Sequence, residues 1–141
     1  MLDRYGVLAG VLFLSLSSAV YADAREVAQG HFKAIAAGQV DQIMQGYADK
    51  AHFEWIGGPL NGTYAGTEKI REVWTKFAKG NAPLDLSVRK LEDSINPDGE
   101  TVTANVEFKG KQTIKVRYVM TYRGGKLVNE VWQIDPKLGG Y

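Results

Sequence analysis

The chain contains no cysteine, which excludes disulfide bonds, cysteine-ligated zinc and thiol catalysis. The chain also has no marked excess of one charge, since it contains 17 Lys and Arg and 16 Asp and Glu and its formal net charge is +1. Such a balance gives no electrostatic reason to expect nucleic acid as a partner. The 141 residues are 45% hydrophobic, which suffices for the core of one domain and argues against disorder.

The N-terminal segment differs in composition from the rest. After a short positive start, residues 5–20 are uncharged and apolar or small. This run is too short and too rich in Ser and Gly for a membrane span, which needs about 20 apolar residues. Ala22 and Ala24 supply the small residues that a signal peptidase reads. We therefore predict a signal peptide over 1–24, and a periplasmic or secreted domain over 25–141 with no stable membrane anchor after cleavage.

Three segments have the apolar spacing of amphipathic helices. The first begins at Ala24 and stops at Gly38, where a left-handed residue suits a helix end. A shorter one covers 40–47, and the third follows a predicted cap at Thr67 and ends at Gly80.

Strand patterns separate and follow these helices. Residues 51–55 alternate apolar and polar side chains, and the Gly-rich stretch 57–62 predicts a loop. After Pro83 the pattern predicts a four-strand antiparallel meander with turns at 96–99 and 123–126. Helices on one face of a curved antiparallel sheet make an α+β domain.

Several short motifs occur in a characteristic order. They are AGQVD at 37–41, YADKA at 47–51, GTYAG at 62–66, and GKLV followed by WQID at the end of the last hairpin. In this order the sequence resembles the nuclear transport factor 2-like superfamily, and within it the small bacterial SnoaL-like and ketosteroid isomerase-like proteins. The resemblance implies a cystatin-like cone in which the sheet wraps the N-terminal helices around an apolar pocket. It does not fix a function, because this cone hosts many activities.

One carboxylate and one imidazole are candidate catalytic groups. Alternation in the last strand puts Val128, Glu130, Trp132 and Ile134 on one face. If that face is inward, Glu130 is a candidate general base or acid together with His31 on the first helix. A one-residue slip would turn Glu130 to solvent, and His31 could instead be an ordinary packed core residue.

Two functions remain open at this stage. The first is a module that binds a small apolar or aromatic molecule, and the second is a lyase or isomerase of small carbonyl or hydroxyl compounds that uses His31 and Glu130. The second requires both groups to lie within about 3 Å of each other or of a shared water. The aromatic and apolar residues predicted to line the pocket are Tyr47, Trp55, Tyr64, Trp74, Tyr118, Met120 and Trp132.

The remaining expectations concern cofactors and partners. We expect no cofactor, and no metal, since His31 and His52 should lie on different faces. A third, structural interpretation has the pocket filled by the domain's own side chains, with a homodimer through the outer sheet face as in many relatives. The resemblance implies that the catalytic residues of the ketosteroid isomerases correspond in position to His31, Trp55 and Tyr118 of this chain. None of those identities is kept, and this argues against that isomerisation.

Overall fold

Apolar stripes and alternating patterns give three helices and six strands in the computed structural model, which describes residues 23–138. In chain order they are α1 (Ala24–Ala37), α2 (Val40–Gln45), β1 (Tyr47–Ile56), β2 (Gly62–Ala65), α3 (Thr67–Asn81), β3 (Asp85–Asn96), β4 (Gly99–Lys109), β5 (Thr113–Arg123) and β6 (Lys126–Ile134). The helices pack on a curved, unclosed sheet. The predicted α+β fold is therefore confirmed.

Both ends of α1 are defined by specific residues. The Asp23 side chain accepts a hydrogen bond of 2.9 Å from the backbone N–H of Arg25 and so caps the first turn. Gly38 ends the helix with φ of 71°, which side chains disfavour. A Cβ at this position would also lie 2.6 Å from the Cβ of Ala82. Gly38 is thus required by both conformation and space.

The sheet order is β2-β1-β6-β5-β4-β3. Strands β3 to β6 are consecutive antiparallel neighbours, which confirms the predicted meander. Strand β1 joins this meander by pairing with β6 in parallel, and the short β2 pairs with β1 at the edge. As a result, β6 is a central strand with neighbours on both sides.

Some predicted boundaries were wrong. Strand β1 begins at Tyr47 and not at residue 51, because its first residue already pairs with β6. Strand β2 was not predicted, since four residues flanked by glycines carry little pattern. Gly66, not Thr67, is the N-cap of α3, and the helix continues one residue past Gly80.

The register of β6 shifts near its start, and this decides which side chains face inward. Simple alternation would put Val128 on the face of Glu130 and leave Leu127 outside. The β5–β6 ladder instead has an irregularity beside Val128, as in a β-bulge. Leu127 therefore takes the inward place predicted for Val128, while Glu130 and Trp132 keep their predicted inward positions.

The predicted signal peptide lies outside the described residues except for Asp23 and Ala24. A cut after Ala24 would remove both the cap of α1 and its first, buried residue. The cut and the boundary of the domain at residue 25 stay predictions. Among residues 23–138, no helix combines the length and the apolar character needed to span a bilayer.

In the full chain, which retains Asp23, Asp23→Ala should lower the free energy of unfolding by about 1 kcal/mol, because one N–H of the first turn loses its cap. Urea unfolding followed by circular dichroism would measure the change. Asp49→Ala is the control, since Asp49 is exposed on β1. Equal stability of the two variants would contradict the capping role.

Candidate functional site

A single carboxylate lies at the centre of the fold. Glu130 is fully buried and sits on β6 between Phe53 of β1 and Met120 of β5. Removing a carboxylate from water costs several kcal/mol or more unless donors replace the lost hydration. The surroundings of Glu130 must therefore supply hydrogen bonds.

Three side chains from different elements meet this carboxylate. The Tyr47 hydroxyl donates to Oε1 and the Tyr118 hydroxyl donates to Oε2, each at 2.5 Å. His31 Nε2 lies 2.9 Å from Oε2. The indole N–H of Trp74 donates to the Tyr47 oxygen at 2.8 Å and so fixes the orientation of that phenol. Short bonds to a carboxylate are typical of charge-assisted donors.

The fold determines how these groups converge. His31 comes from the buried face of α1, Tyr47 opens β1, and Tyr118 lies on β5 beside β6. The two phenols bind different oxygens of Glu130, so the carboxylate is held from both sides. We refer to His31, Tyr47, Trp74, Tyr118 and Glu130 as the Glu130 cluster.

Both phenols of the cluster remain protonated. Burial, and then the negative charge of Glu130, raise the pKa of Tyr47 well above its usual value. The same two causes, in the same order, raise the pKa of Tyr118. A phenol that cannot ionise remains a hydrogen-bond donor. Tyr47 and Tyr118 therefore act as permanent donors to Glu130.

His31 links the cluster to the surface. When Glu130 is ionised it only accepts hydrogen bonds, and its contact with His31 then requires a proton on Nε2. In the neutral ring, Nδ1 then carries the lone pair. His31 is 7% exposed and borders a cavity of about 290 Å³, which we call the His31 hollow. Of the two predicted catalytic residues, only His31 lines this hollow, because Glu130 is closed off behind it.

The His31 hollow lies between α1, α2 and the start of β6. Besides His31, its lining includes Val27, Gly30, Gln42, Gln45 and Tyr122. A Cβ built on Gly30 would meet no atom within 4 Å, so the missing side chain leaves space beside the imidazole. The two glutamines bring amide donors and acceptors to an otherwise apolar wall.

The predicted aromatic pocket walls lie mostly in a packed interior. Ring centroids are 4.7 Å apart for Trp55 and Trp132, and 5.4 Å for Trp74 and Trp132. Met120 is buried beside Glu130. Four hollows in the described part of the chain include none of these residues in their linings. Aromatic rings thus occupy the interior expected to form the pocket.

Two of these rings have an unusual feature. The indole N–H groups of Trp55 and Trp132 are buried and have no hydrogen-bond partner among residues 23–138. Buried donors are normally paired. Tyr64, in contrast, lies on β2 away from the Glu130 cluster, and its hydroxyl donates to the carbonyl of Leu60 at 2.6 Å.

Carboxylates also gather near the start of α1. The ligand atoms of Asp23, Asp93 and Glu100 lie within 4.8 Å of one another. Burial, followed by a hydrogen bond and charge from Asp93, raises the pKa of Glu100, and Arg25 Nη1 lies 4.0 Å from Asp93. This exposed group is explained by capping and surface ion pairing, and we assign it no metal.

Comparison with known proteins identifies the family. A family model described as a SnoaL-like domain matches residues 28–130. The chain belongs to the SnoaL-like domain family. A search of curated proteins gave no match.

Solved structures share the fold of this SnoaL-like domain at low sequence identity. A nuclear transport factor 2-like protein of unknown function from Pseudomonas putida has a TM-score of 0.69 and 17% identity, covering 86% of this chain and 92% of that one. A Nostoc punctiforme protein of unknown function with a cystatin-like fold has a TM-score of 0.67 and 15% identity, covering 82% and 90%. A candidate ketosteroid isomerase from Parabacteroides distasonis has a TM-score of 0.65 and 13% identity, covering 80% and 88%. These matches establish the superfamily fold and carry no activity with them.

Sequence reasoning did not single out the residues that shape the His31 hollow. Gln42, Gln45 and Tyr122 carry no local signal for a site in this SnoaL-like domain. Gly30 did carry one, because an isolated glycine inside a helical pattern often has a packing or functional reason. Its position next to His31 could have pointed to an opening at that turn of α1.

Glu130→Gln should lower the free energy of unfolding by about 1–3 kcal/mol, because an amide nitrogen replaces an acceptor and leaves a buried donor unmatched. The surface pair of His52 and Glu54, 3.4 Å apart, provides the control. Glu54→Gln should cost less than about 1 kcal/mol. If urea unfolding shows that Glu130→Gln and Glu54→Gln lose similar free energies of unfolding, the central role of Glu130 is contradicted.

Alkaline pH should destabilise the protein through Tyr47 and Tyr118. Their pKa values are raised in the folded state, so their contribution is complete below the unfolded pKa of about 10 and is lost as pH rises above it. Urea unfolding between about pH 8 and about pH 11 should show a slope of up to about 1.4 kcal/mol per pH unit for each tyrosine.

Tyr47→Phe and Tyr118→Phe should each reduce this alkaline slope. Tyr64→Phe is the matched control, because Tyr64 is only half-buried and is bonded to a backbone carbonyl. If Tyr64→Phe reduces the alkaline slope as much as the other two variants do, the slope does not come specifically from Tyr47 and Tyr118.

Proposed function

We propose that this SnoaL-like domain catalyses proton transfer on a small carbonyl or hydroxyl compound, as a lyase or isomerase, with His31 as the catalytic residue. One observation carries the proposal: Glu130 Oε2 lies 2.9 Å from His31 Nε2, and His31 borders an open hollow while Glu130 is closed. A carboxylate that holds one imidazole nitrogen leaves the other available to a substrate.

The chemistry assigns a distinct role to each group. His31 takes a proton from the carbon beside a carbonyl group, and the bonding electrons move to the carbonyl oxygen to form an enolate. In an unsaturated ketone the imidazolium returns the proton to the far carbon of the conjugated enolate, and the carbonyl re-forms as the double bond moves. In a β-hydroxyketone it gives the proton to the hydroxyl group, which leaves as water as the enolate electrons form the new double bond and the carbonyl re-forms. Glu130 is a positioning residue that sets the tautomer of His31 and stabilises its charged form.

Polar groups in the hollow can bind the developing enolate. Gln42 and Gln45 line the same space as His31. Their amide N–H groups are donors of the kind that stabilise an oxyanion. This arrangement supports carbonyl compounds as substrates.

A second candidate function, binding of a small apolar molecule in the aromatic interior, is favoured by one observation. The indole N–H groups of Trp55 and Trp132 are buried without a partner among the described residues. A ligand oxygen could accept from them if the interior opens. Binding of this kind would require no proton transfer and would not depend on His31.

Export and dimerisation are further parts of this proposal. The sequence of residues 1–24 supports removal of a leader, which would place the domain in the periplasm or outside the cell. The outer sheet face offers a surface of mixed polar and charged residues for a second copy of the chain. Its residues include Thr101, Thr103, Asn105, Thr113, Val119 and Thr121.

Exchange of carbon-bound hydrogen provides a direct test of the proton-transfer function. A panel of small enolisable ketones is incubated with the protein in heavy water, and proton NMR follows the loss of signal beside the carbonyl. His31→Asn should reduce the protein-dependent rate by about 100-fold or more, because the general base is lost. His52→Asn should leave it unchanged.

Three further variants separate catalysis from structure. Gly30→Phe should fill the hollow and block exchange, whereas Gly80→Phe, also at an open helical position, should not. Glu130→Gln should change the pH profile of exchange as well as its rate. Exchange that persists in His31→Asn, or exchange absent from the whole panel, would overturn the proposal. Quenching of tryptophan emission by an apolar probe, retained in His31→Asn, would favour the binding function instead.

A further inference from the structure

A second hollow adjoins the His31 hollow. It has a volume of about 200 Å³ and lies between the start of α1 and the turns of the β3–β4 and β5–β6 hairpins. Val27, Tyr122 and Gly125 line both cavities. These shared residues make the two hollows neighbours beside α1. We call the second cavity the Ile95 hollow.

The Ile95 hollow has an apolar surface that folding does not explain. Ile95 is 73% exposed at the end of β3, and it lines the cavity together with Pro97, Val27 and Ala24. Single exposed apolar residues are common on protein surfaces. Here, however, the exposed side chain belongs to a concave site, which is where apolar ligand groups bind.

Charge in the same cavity limits what can bind there. Asp98 and Glu100 are also part of its lining. Carboxylates at the rim disfavour an anionic group, since like charges at close range repel. The Ile95 hollow therefore suits a neutral apolar chain better than one that ends in a carboxylate.

We infer that the Ile95 hollow is a specificity subsite for the neutral apolar tail of a carbonyl compound whose carbonyl end lies at His31. This inference rests on the proposed function, because it takes the His31 hollow as the reacting end. The substrate class is thus a small amphiphilic ketone or hydroxyketone with a neutral apolar chain. The tail would run past the ring of Tyr122, which both hollows share.

A chain-length series tests the subsite on the full chain. Methyl ketones of increasing length are titrated while NMR follows the His31 ring signal. Each methylene that enters the Ile95 hollow should tighten binding by about threefold to fourfold, as burial of a CH₂ group predicts. A terminal carboxylate on a long member should weaken binding relative to a terminal amide.

Two matched surface variants test whether the increase in affinity arises in the Ile95 hollow. Ile95→Asp should abolish the increase in affinity with chain length while leaving the affinity for the shortest ketone as before. Ile56→Asp is the control, because Ile56 is the other large exposed hydrophobic residue of the described chain and lies at the end of β1. The control should retain the full gain.

The outcomes separate this inference from the proposed function. If the shortest ketone binds but affinity does not increase with chain length, the subsite is overturned and the proposed function stands. The same gain in Ile95→Asp as in the parent protein, or an equal loss in Ile56→Asp, would also overturn it. If no ketone shifts the His31 signal, both the function and the subsite fail.

Discussion

The buried carboxylate of Glu130 is the interaction on which the rest of the structure depends. An uncompensated charge at that depth would be incompatible with a stable fold, and three donors compensate it. These donors tie α1, β1 and β5 to the central strand β6. The cluster therefore specifies how the first helix sits on the sheet, in addition to any chemistry at His31. Buried polar networks that are fully paired often have this effect on a fold.

The same arrangement separates an inner and an outer part of the site. Phenols whose pKa values are raised remain donors and hold Glu130 in place. His31 alone reaches the open side, where Gly30 leaves space for a ligand. The interior behind it is filled by aromatic rings. The open space at His31 is thus a hollow between α1, α2 and the start of β6.

Much of the fold was predictable because it rests on local patterns. Periodicity gave the three helices and the meander, and Gly38 marked the end of α1 correctly. Strand β2 was missed because four residues carry little pattern, and the start of β1 was missed because it pairs with the distant strand β6. The register of β6 was also beyond local pattern. Its irregularity beside Val128 lets Leu127 and Glu130 both face inward, which strict alternation does not allow.

The sequence by itself determined the residue types of the site, since the alternation of β6 and the stripe of α1 gave Glu130 and His31 as candidates and the motif order gave the SnoaL-like family. Only the tertiary structure decided that these two side chains touch, because 99 positions separate them along the chain. It also decided that the hydroxyls of Tyr47 and Tyr118 donate hydrogen bonds to Glu130. Contacts of this kind depend on strand register and helix docking, which are global properties of the packed chain.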